Sequence, residues 1–417
     1  MNPEPPAGGD PIGDGQFALA TDRPQTIEEL VEAVARRVAE GHALYPQGGQ
    51  TALDYGGIPT RPGAAIDVRG LDRIVDYPAA DMTVTVEAGI TLGSLREALA
   101  REGQRLWVEA PQPDRATLGG IFATDSSGPR RFGLGRPRDQ ILGVRYVSAA
   151  GEVVKGGGRV VKNVAGYDLP KLLTGSLGTL GIIAEMTLKV RPAPESSALA
   201  WASYPSLAAA SDALDALNTS ATRPVAVELL NPPAARAIFP GQQDGAWAVV
   251  VGFEDNRASI EWQADRIAAE LASGKPTVVR DAEVEPFWAA LVESQAAGDG
   301  PIRFRASLRP SALARFLDSV DPGLWSVQAH AGNGIARGAW IGEARDLDAF
   351  ADEIGLLRER AKTLGGTLIL PRCPTAWKGR LRVWGDPRPD WGLSAKVKRA
   401  LDPAGVLNPG RFLDTIG

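Results

Sequence analysis

The sequence has little cysteine and little histidine. Its 417 residues include one cysteine, Cys373, and two histidines, His42 and His330. An iron–sulfur cluster needs about four thiolates and a structural zinc site needs about four Cys or His ligands, so this chain alone supplies neither. A single cysteine forms no disulfide framework, and no Gly-x-Ser-x-Gly elbow accompanies a histidine, which argues against a hydrolase. We expect no metal site, and we expect Cys373 to be a buried apolar residue beside a strand.

A strong charge of one sign and long apolar runs are also missing. Charged residues make up 23% of the chain and the formal net charge is −5, which favours neither a nucleic-acid groove nor an anionic membrane surface. Glycines interrupt the longest apolar stretch, so no run reaches the roughly 20 residues of a transmembrane helix. Residues 1–18 have no basic start and no apolar core of a signal peptide. They are predicted to be a disordered leader of a cytoplasmic protein.

Glycine is abundant in loops, first of all in Pro46-Gln-Gly-Gly-Gln-Thr51. This loop follows a strand predicted at 43–45 and a helix marked by a capping box, Thr26 with Glu29. Consecutive N–H groups in such a turn form an anion-binding concavity. It is not a P-loop, because no Gly-Lys-Ser/Thr follows. On its own the loop is either an ordinary turn or a phosphate cradle.

The stretch from Pro111 to Pro192 carries most of the remaining glycine motifs. Glycine lets the backbone approach a large ligand closely, and glycines spaced between strands indicate such a ligand. Thr117 is followed by Leu118-Gly119-Gly120, which is predicted to start a helix whose free N–H groups and dipole face a pyrophosphate. Together with the first loop, this region could converge on one diphosphate ligand.

Beyond residue 194, Ala-rich helices alternate with short strands. Repeated strand–helix–strand units predict a ferredoxin-like α+β cap. A basic helix at 394–401 carries Lys396, Lys398 and Arg399, which we interpret as a solvated face, with a partner surface as the alternative.

Five motifs in this order resemble the vanillyl-alcohol-oxidase (PCMH) type of FAD-binding flavoproteins, and within them the FAD-binding subunits of glycolate oxidase. The resemblance runs from about Leu19 to Phe412, and its motifs are Pro46–Thr51, Pro111–Gly120, Lys162–Leu169, Gly175–Gly181 and Leu401–Gly410. It implies an α+β fold with a two-part PCMH-type FAD-binding domain and a ferredoxin-like cap. The expected divisions are a leader at 1–18, the FAD domain at 19–193, the cap at 194–375 and a segment at 376–417 that returns to the FAD domain.

The resemblance also implies which residues bind FAD. A histidine that carries covalent flavin in some relatives is missing from the first loop, where Gln50 stands, so non-covalent FAD is expected. The implied cofactor-binding residues are Pro46, Gly48, Gly49, Gln50, Thr51, Pro111, Thr117, Leu118, Gly119, Gly120, Ala123, Gly128, Gly178, Gly181, Ile183 and Asn408.

Departures from the catalytic relatives concern the acid-base chemistry. The larger flavin subunit of the resembling complex has Glu where Leu177 stands, and its His-Ala-Gly-Asp-Gly-Asn-x-His motif corresponds here to His330–Arg337 with Asn333 for Asp and Arg337 for the second His. With one histidine and no paired carboxylate, the site looks incomplete. The catalytic residues therefore stay unknown, with His330 a weak candidate for a base and a structural role the alternative.

The resemblance implies an FAD-dependent oxidoreductase that takes part in oxidising glycolate or a similar small 2-hydroxy acid. Its expected partners are a larger flavin subunit and an iron–sulfur subunit, which also offer a route to the inner membrane surface. Two alternatives stay open. One is a self-sufficient 2-hydroxy-acid dehydrogenase of the D-lactate type, and the other is a non-catalytic scaffold with a vestigial flavin site.

Overall fold

A computed structural model describes residues 9–159, 166–239, 241, 244–343 and 345–413. The strands are β1 (Pro11–Gly13), β2 (Gln16–Phe17), β3 (Ala20–Asp22), β4 (Ala43–Gln47), β5 (Gly63–Asp67), β6 (Ile74–Asp76), β7 (Thr83–Glu87), β8 (Gln104–Arg105), β9 (Ile141–Val147), β10 (Val153–Gly157), β11 (Ile182–Lys189), β12 (Arg191–Pro192), β13 (Ser196–Tyr204), β14 (Ala226–Leu230), β15 (Trp247–Asp255), β16 (Thr277–Arg280), β17 (Arg303–Ser307), β18 (Trp325–His330), β19 (Ile335–Trp340) and β20 (Thr367–Arg372).

Helices alternate with these strands along the chain. They are α1 (Ile27–Ala39), α2 (Leu92–Ala100), α3 (Leu118–Thr124), α4 (Arg131–Leu134), α5 (Pro137–Gln140), α6 (Leu169–Leu173), α7 (Leu207–Leu217), α8 (Pro232–Ile238), α9 (Arg257–Glu270), α10 (Glu285–Glu293), α11 (Leu313–Leu317), α12 (Leu347–Thr363), α13 (Lys378–Leu381) and α14 (Trp391–Leu401). None of them, within the described ranges, is long and apolar enough to cross a membrane.

The chain forms two compact units. The first holds the residues up to Ser127, Arg136–Ala193 and the chain from Asp386 onward, and the second holds Gly128–Gly135 and Pro194–Gly385. The observed change at 193/194 coincides with the predicted one. The return to the first unit comes at Asp386, ten residues later than the predicted start at 376. The excursion at 128–135 was not predicted.

The first unit contains a parallel and an antiparallel sheet. The parallel sheet has the order β3-β5-β4, and the antiparallel sheet has the order β10-β9-β11-β7-β6. Helix α1 begins as predicted, because Thr26 Oγ1 accepts the Glu29 N–H at 3.1 Å and the Glu29 carboxylate accepts the Gln25 N–H at 2.7 Å. Its apolar side, which includes Leu30 and Val34, is buried with residues of β4, β5 and β11.

The prediction of a disordered leader is wrong for residues 11–17. Strands β1 and β2 pair there as a small antiparallel hairpin. The Pro11 carbonyl accepts a hydrogen bond from Gln47 Nε2 at 2.6 Å, and the Asp14 carboxylate forms a buried ion pair with Arg411. The composition gave no sign of this order, since the partners that fix the segment are far away in the sequence. Residues 1–8 lie outside the described part.

The second unit is built on one eight-stranded antiparallel sheet, in the order β16-β13-β15-β14-β18-β19-β17-β20. Strands β13, β14, β15 and β16 lie in the order 4-1-3-2 of a ferredoxin-like unit, and β17 to β20 repeat that order in reverse. The two repeats join edge to edge through β14 and β18. The predicted ferredoxin-like cap is confirmed and consists of two such repeats.

The larger core of the second unit lies on one face of this sheet. It contains a chain of buried rings in edge or tilted contact, from Phe304 through Trp325 and Trp340 to Phe350. Burial of each such side chain contributes about 1.5–3 kcal/mol. Cys373 belongs to this core and directly follows β20, as predicted.

Two side chains hold the 128–135 segment in the second unit. Arg130 donates to the Glu254 carboxylate at 2.8 Å, and its guanidinium stacks 4.0 Å from the ring centroid of Trp288. The Phe132 ring fills the space where Gly332 would otherwise carry a Cβ. A cation–π contact and an ion pair therefore fix a segment that the sequence assigned to the FAD domain.

Candidate functional site

The first glycine loop of the first unit follows the carboxyl end of β4. The N–H groups of Gly48, Gly49, Gln50 and Thr51 have no hydrogen-bond acceptor within the described residues. Gln50 has a φ of +57°, and its side chain is fixed by a 2.9 Å hydrogen bond to Gln47 Oε1. Consecutive unpaired N–H groups around a left-handed residue form an anion-binding concavity.

The second loop packs backbone to backbone against the first. A Cβ on Gly48 would lie 2.0 Å from Thr117 Oγ1, and a Cβ on Gly49 would lie 1.6 Å from the Arg115 carbonyl oxygen. Only glycine allows this approach. Arg115 also donates to the Gly49 carbonyl at 3.3 Å, so one cation lies beside the unpaired N–H groups.

The prediction that the start of α3 offers free N–H groups is wrong. The Leu118 and Gly119 amides donate to the carbonyls of Ile90 and Ala88 at 2.9 and 2.7 Å, and the Gly120 amide donates to Thr117 Oγ1 at 3.3 Å. The Leu118 and Gly119 hydrogen bonds fix α3 to the turn between β7 and α2, and the Gly120 hydrogen bond caps the helix itself. Gly119 is needed for that contact, because its Cβ would lie 3.0 Å from the Ala88 carbonyl oxygen.

The Gly175–Gly181 turn closes on the other end of α3. The Leu177 amide donates to the Ala123 carbonyl at 2.8 Å, and the Leu177 carbonyl accepts from Asn408 Nδ2 at 2.6 Å. A Cβ on Gly178 would lie 3.3 Å from Pro46 Cγ, which brings this turn to the first loop. The Ser176 hydroxyl is buried without a hydrogen-bond partner in the described residues.

A buried lysine of α14, Lys398, holds the Gly175–Gly181 turn through a hydrogen bond. Lys398 is 7% exposed, so the interpretation of a solvated face is wrong for this residue, whereas Lys396 and Arg399 are exposed. Its ammonium donates to the Thr179 and Leu407 carbonyls, both at 2.8 Å, and to the Asp402 carboxylate at 2.5 Å. Burial lowers the pKa of Lys398, and Asp402 opposes that shift. The lysine thus joins helix, turn and C-terminal segment.

Left-handed backbone is concentrated in these loops. Five non-glycine residues here have φ between +46° and +57°, namely Gln50, Gln112, Asp125, Leu177 and Asn408. Such conformations cost about 1–3 kcal/mol each and occur where surrounding structure enforces them, often at ligand sites. This signal is not visible in the sequence, since none of the five is glycine.

A cavity of about 610 Å³ borders the first and second loops. Its lining includes Gly49, Gln50, Thr117 and Arg115, two further arginines and three acidic residues. The volume lies within the range of small-molecule and cofactor sites.

Most of the predicted cofactor-binding residues are therefore brought together in the first unit. Gly181 packs on the ring of Tyr146, and Ile183 is buried in β11. Gly128 falls in the second unit instead, at the start of the 128–135 segment. Of the motif at Lys162–Leu169, residues 162–165 lie outside the described residues. The predicted residues found in the loops, α3 and the C-terminal segment are Pro46, Gly48, Gly49, Gln50, Thr51, Pro111, Thr117, Leu118, Gly119, Gly120, Ala123, Gly178 and Asn408.

The second unit supplies the carboxylate that His330 was expected to lack. His330 and Glu228 are 1% and 0% exposed, and His330 Nδ1 lies 2.7 and 2.9 Å from the two Glu228 carboxylate oxygens. Arg337 Nε donates to His330 Nε2 at 3.3 Å. The hydrogen-bond network therefore places the ring proton on Nδ1. Sequence reasoning missed Glu228, although an acid inside the apolar strand Ala226–Leu230 was a signal.

Comparison with known proteins identifies the cofactor class. Residues 18–157 match the model of an FAD binding domain, and residues 193–320 and 386–412 match that of the C-terminal domain of FAD linked oxidases. The second match is interrupted where the chain stays in the second unit and resumes at Asp386, where it returns to the first.

Curated relatives include subunits and enzymes of hydroxy-acid oxidation. Glycolate oxidase subunit GlcD of Bacillus subtilis is 26% identical over 88% of this chain and 83% of its own length. Glycolate oxidase subunit GlcE of Escherichia coli is 38% identical over 41% of this chain and 48% of its own length. D-2-hydroxyglutarate dehydrogenase of Xanthomonas citri is 32% identical over 45% of this chain and 40% of its own length. A solved structure of alkyldihydroxyacetonephosphate synthase shares the fold, with a TM-score of 0.69, 18% identity, and coverage of 94% of this chain and 76% of that one.

The residues of the first unit fit FAD. Four unpaired N–H groups suit a pyrophosphate, and the buried Ser176 hydroxyl lacks a hydrogen-bond partner in the described residues. Arg115, which donates to the Gly49 carbonyl, places one positive charge beside these N–H groups. FAD, when bound, supplies the hydride acceptor for oxidation.

Proposed function

The chain belongs to the FAD-linked oxidases, with a PCMH-type FAD-binding domain, and from that premise we propose that it is the FAD-binding subunit of a glycolate-oxidising complex. Its substrate class is a small 2-hydroxy acid, which is oxidised to the 2-oxo acid. A larger flavin subunit and an iron–sulfur subunit are the proposed partners, and electrons leave through FAD to them. The likeness to both glycolate oxidase subunits supports this assignment.

In this proposal, FAD is held without a covalent bond by the loops of the first unit. The Gly48–Thr51 amides hold the pyrophosphate, Arg115 lies beside it, and Thr117 and Gly119 keep the second loop in close contact. The hydrogen bond from Asn408 to the Leu177 carbonyl holds the Gly175–Gly181 turn to the C-terminal segment.

The state of His330 supports a subunit rather than a self-sufficient enzyme, and this observation carries the proposal. Removal of a hydride from C2 of the acid must be matched by transfer of the hydroxyl proton to a base. His330 is buried, and both of its ring nitrogens are engaged, one with Glu228 and one with Arg337. In this proposal His330 therefore orients Arg337 and does not act as the base. The base that takes the hydroxyl proton comes from outside the residues described here.

The test is an absorbance spectrum of the purified chain before and after anaerobic addition of glycolate. We expect flavin bands that acid precipitation releases into the supernatant, and oxidised flavin that stays oxidised until the partner subunits are added. Bleaching by glycolate or D-lactate without partners would make the chain a complete dehydrogenase. Absence of flavin after incubation with excess FAD would favour the scaffold. The Gly49→Ala variant should lose FAD, whereas Gly392→Ala on exposed α14 should keep it.

A further inference from the structure

A glutamine at the end of β4 links the first glycine loop to the N-terminal hairpin, which consists of β1 and β2 at residues 11–17. Gln47 is 4% exposed, and its side-chain amide is used at both ends. Its Nε2 donates to the Pro11 carbonyl of the hairpin at 2.6 Å, and its Oε1 accepts from Gln50 Nε2 at 2.9 Å. A path of two hydrogen bonds therefore runs from the hairpin to the left-handed residue of the loop.

Gln50 needs a hold from outside its own backbone, because its φ of +57° is unfavourable for a residue other than glycine. Such a conformation persists only where the surrounding structure enforces it. The hydrogen bond from Gln50 Nε2 to Gln47 supplies that hold. The neighbouring loop amides form an anion-binding concavity only while this residue stays left-handed. Gln47 therefore acts on the pyrophosphate-binding amides through Gln50.

The N-terminal hairpin owes its order to docking on the rest of the first unit. It forms a separate two-stranded sheet, and a hairpin of this size is not stable alone in water. Ile12 is buried in a small apolar cluster with Tyr45 of β4. Asp14 forms an ion pair with Arg411, which also donates to the Gly57 carbonyl at 2.7 Å. Undocking of the hairpin removes the acceptor of Gln47 Nε2 and leaves the larger sheets of the unit intact.

We propose that docking of the N-terminal hairpin and binding of FAD at the first loop are coupled through Gln47, which is a positioning residue for Gln50. With the hairpin docked, Gln47 is oriented to hold Gln50 and the loop amides are set for a pyrophosphate. By thermodynamic linkage, FAD then stabilises the docked hairpin by the same factor by which the docked hairpin raises FAD affinity. This inference rests on the part of the proposed function that places FAD at the first loop.

The first measurement is hydrogen exchange of the N-terminal hairpin in the full chain, with and without FAD. The Asp14 amide donates to Asp54 Oδ1 at 2.8 Å, so its exchange reports opening of the hairpin. Saturating FAD should slow this exchange about 5- to 50-fold. Strand β8, which pairs with β12 in another two-stranded sheet of the same unit, is the internal comparison and should be slowed less. Equal exchange of the hairpin in the two states, or equal slowing of β8, would overturn the coupling.

Gln47→Met tests the path itself, because methionine keeps the apolar stem and removes both hydrogen bonds. FAD should bind to this variant, once freed of flavin, about 5- to 50-fold more weakly than to wild type, and should no longer slow exchange of the hairpin. A variant that binds FAD as wild type does and still shows the slowing would overturn the role of Gln47.

Gln104→Met is the matched control. Gln104 is also buried in the first unit, at 7% exposed, and its amide also makes one hydrogen bond at each end. Its Nε2 donates to the Ala79 carbonyl at 2.7 Å, and its Oε1 accepts from the Tyr77 hydroxyl at 3.0 Å. Loss of these bonds should lower the free energy of unfolding and leave FAD affinity and the slowing of hairpin exchange as in wild type.

ADP separates an effect on the loop amides from an effect on the rest of the cofactor site. ADP carries a pyrophosphate without an isoalloxazine, so Gln47→Met should weaken ADP binding by the same factor as FAD binding. An unchanged ADP affinity beside weakened FAD binding would overturn the role of Gln47 in positioning the loop amides.

The outcomes separate this inference from the proposed function. If Gly49→Ala loses FAD and Gln47→Met binds FAD as tightly as Gln104→Met does, the coupling is overturned and the proposed FAD site stands. If Gly49→Ala retains FAD, the cofactor lies elsewhere and both are overturned.

Discussion

Replacement of Lys398 by Met tests whether α14 fixes the turn that supports the flavin loops. The ammonium makes three hydrogen bonds, to Thr179 O, Leu407 O and the Asp402 carboxylate. Methionine keeps the apolar stem but leaves a buried carboxylate without its cation. Removal of one partner of a buried ion pair costs about 3–5 kcal/mol. Asp402 still accepts from the Val406 and Leu407 amides at 3.0 and 2.8 Å, so we expect the lower end, about 3 kcal/mol.

Denaturant unfolding and thermal unfolding measure this loss. For a unit of this size, about 3 kcal/mol corresponds to a fall in Tm of roughly 6–12 °C. Lys396→Met is the matched control, because Lys396 is exposed on the same helix two residues earlier. It should change the free energy of unfolding by no more than about 0.5 kcal/mol. The double variant Lys398→Met with Asp402→Asn should regain part of the loss, since no charge is then left buried without its partner.

Flavin retention is the second measurement on the same variants. Release of the Thr179 carbonyl frees the Gly175–Gly181 turn, so Lys398→Met should also lower FAD affinity while Lys396→Met does not. Equal stability and equal FAD content in the two single variants would refute the argument that the buried lysine supports the site.

Three further changes test backbone constraints. Both Gln50→Gly and Gln50→Val lose the hydrogen bond to Gln47, but only glycine suits the φ of +57°. Gln50→Val should therefore bind FAD about tenfold or more weakly than Gln50→Gly, and equal FAD titrations of the two variants would contradict the left-handed backbone. Gly355→Ala, at an exposed position of α12 with nothing within 4 Å of the new Cβ, should raise the free energy of unfolding by about 0.5–1 kcal/mol. Gly338→Ala places a Cβ 2.1 Å from the Phe304 ring and should lower the free energy of unfolding by about 1–3 kcal/mol. An unchanged free energy of unfolding in denaturant would show that the core adjusts to the added methyl group.

Local signals were sufficient for many of the elements, whereas the cofactor class was implied by the resemblance to a known family. The Thr26 cap and the spacing of α1 are encoded within 15 residues, and the strand–helix alternation after 194 carries the two ferredoxin-like repeats. Glycines in the loops were interpreted as room for a ligand, whereas the missing Cβ atoms of Gly48 and Gly49 make room for Thr117 and Arg115 of the second loop. The helices and strands depend on propensity and periodicity, which the sequence carries directly.

Long-range pairing decided the rest. Glu228 meets His330 across 102 residues, because β14 and β18 join the two repeats, and no pattern in either strand specifies that seam. The sequence predicted that Lys398 belongs to a solvated basic face. In the structure its ammonium donates to the carbonyls of Thr179 and Leu407, which lie far away or in another segment of the chain. The sequence predicted free N–H groups at Leu118 and Gly119, but carbonyls of the turn after β7 accept their hydrogen bonds. The sequence by itself determined where backbone could come close and which elements form, whereas only the tertiary structure decided which polar groups find partners, since those partners are brought together by folding.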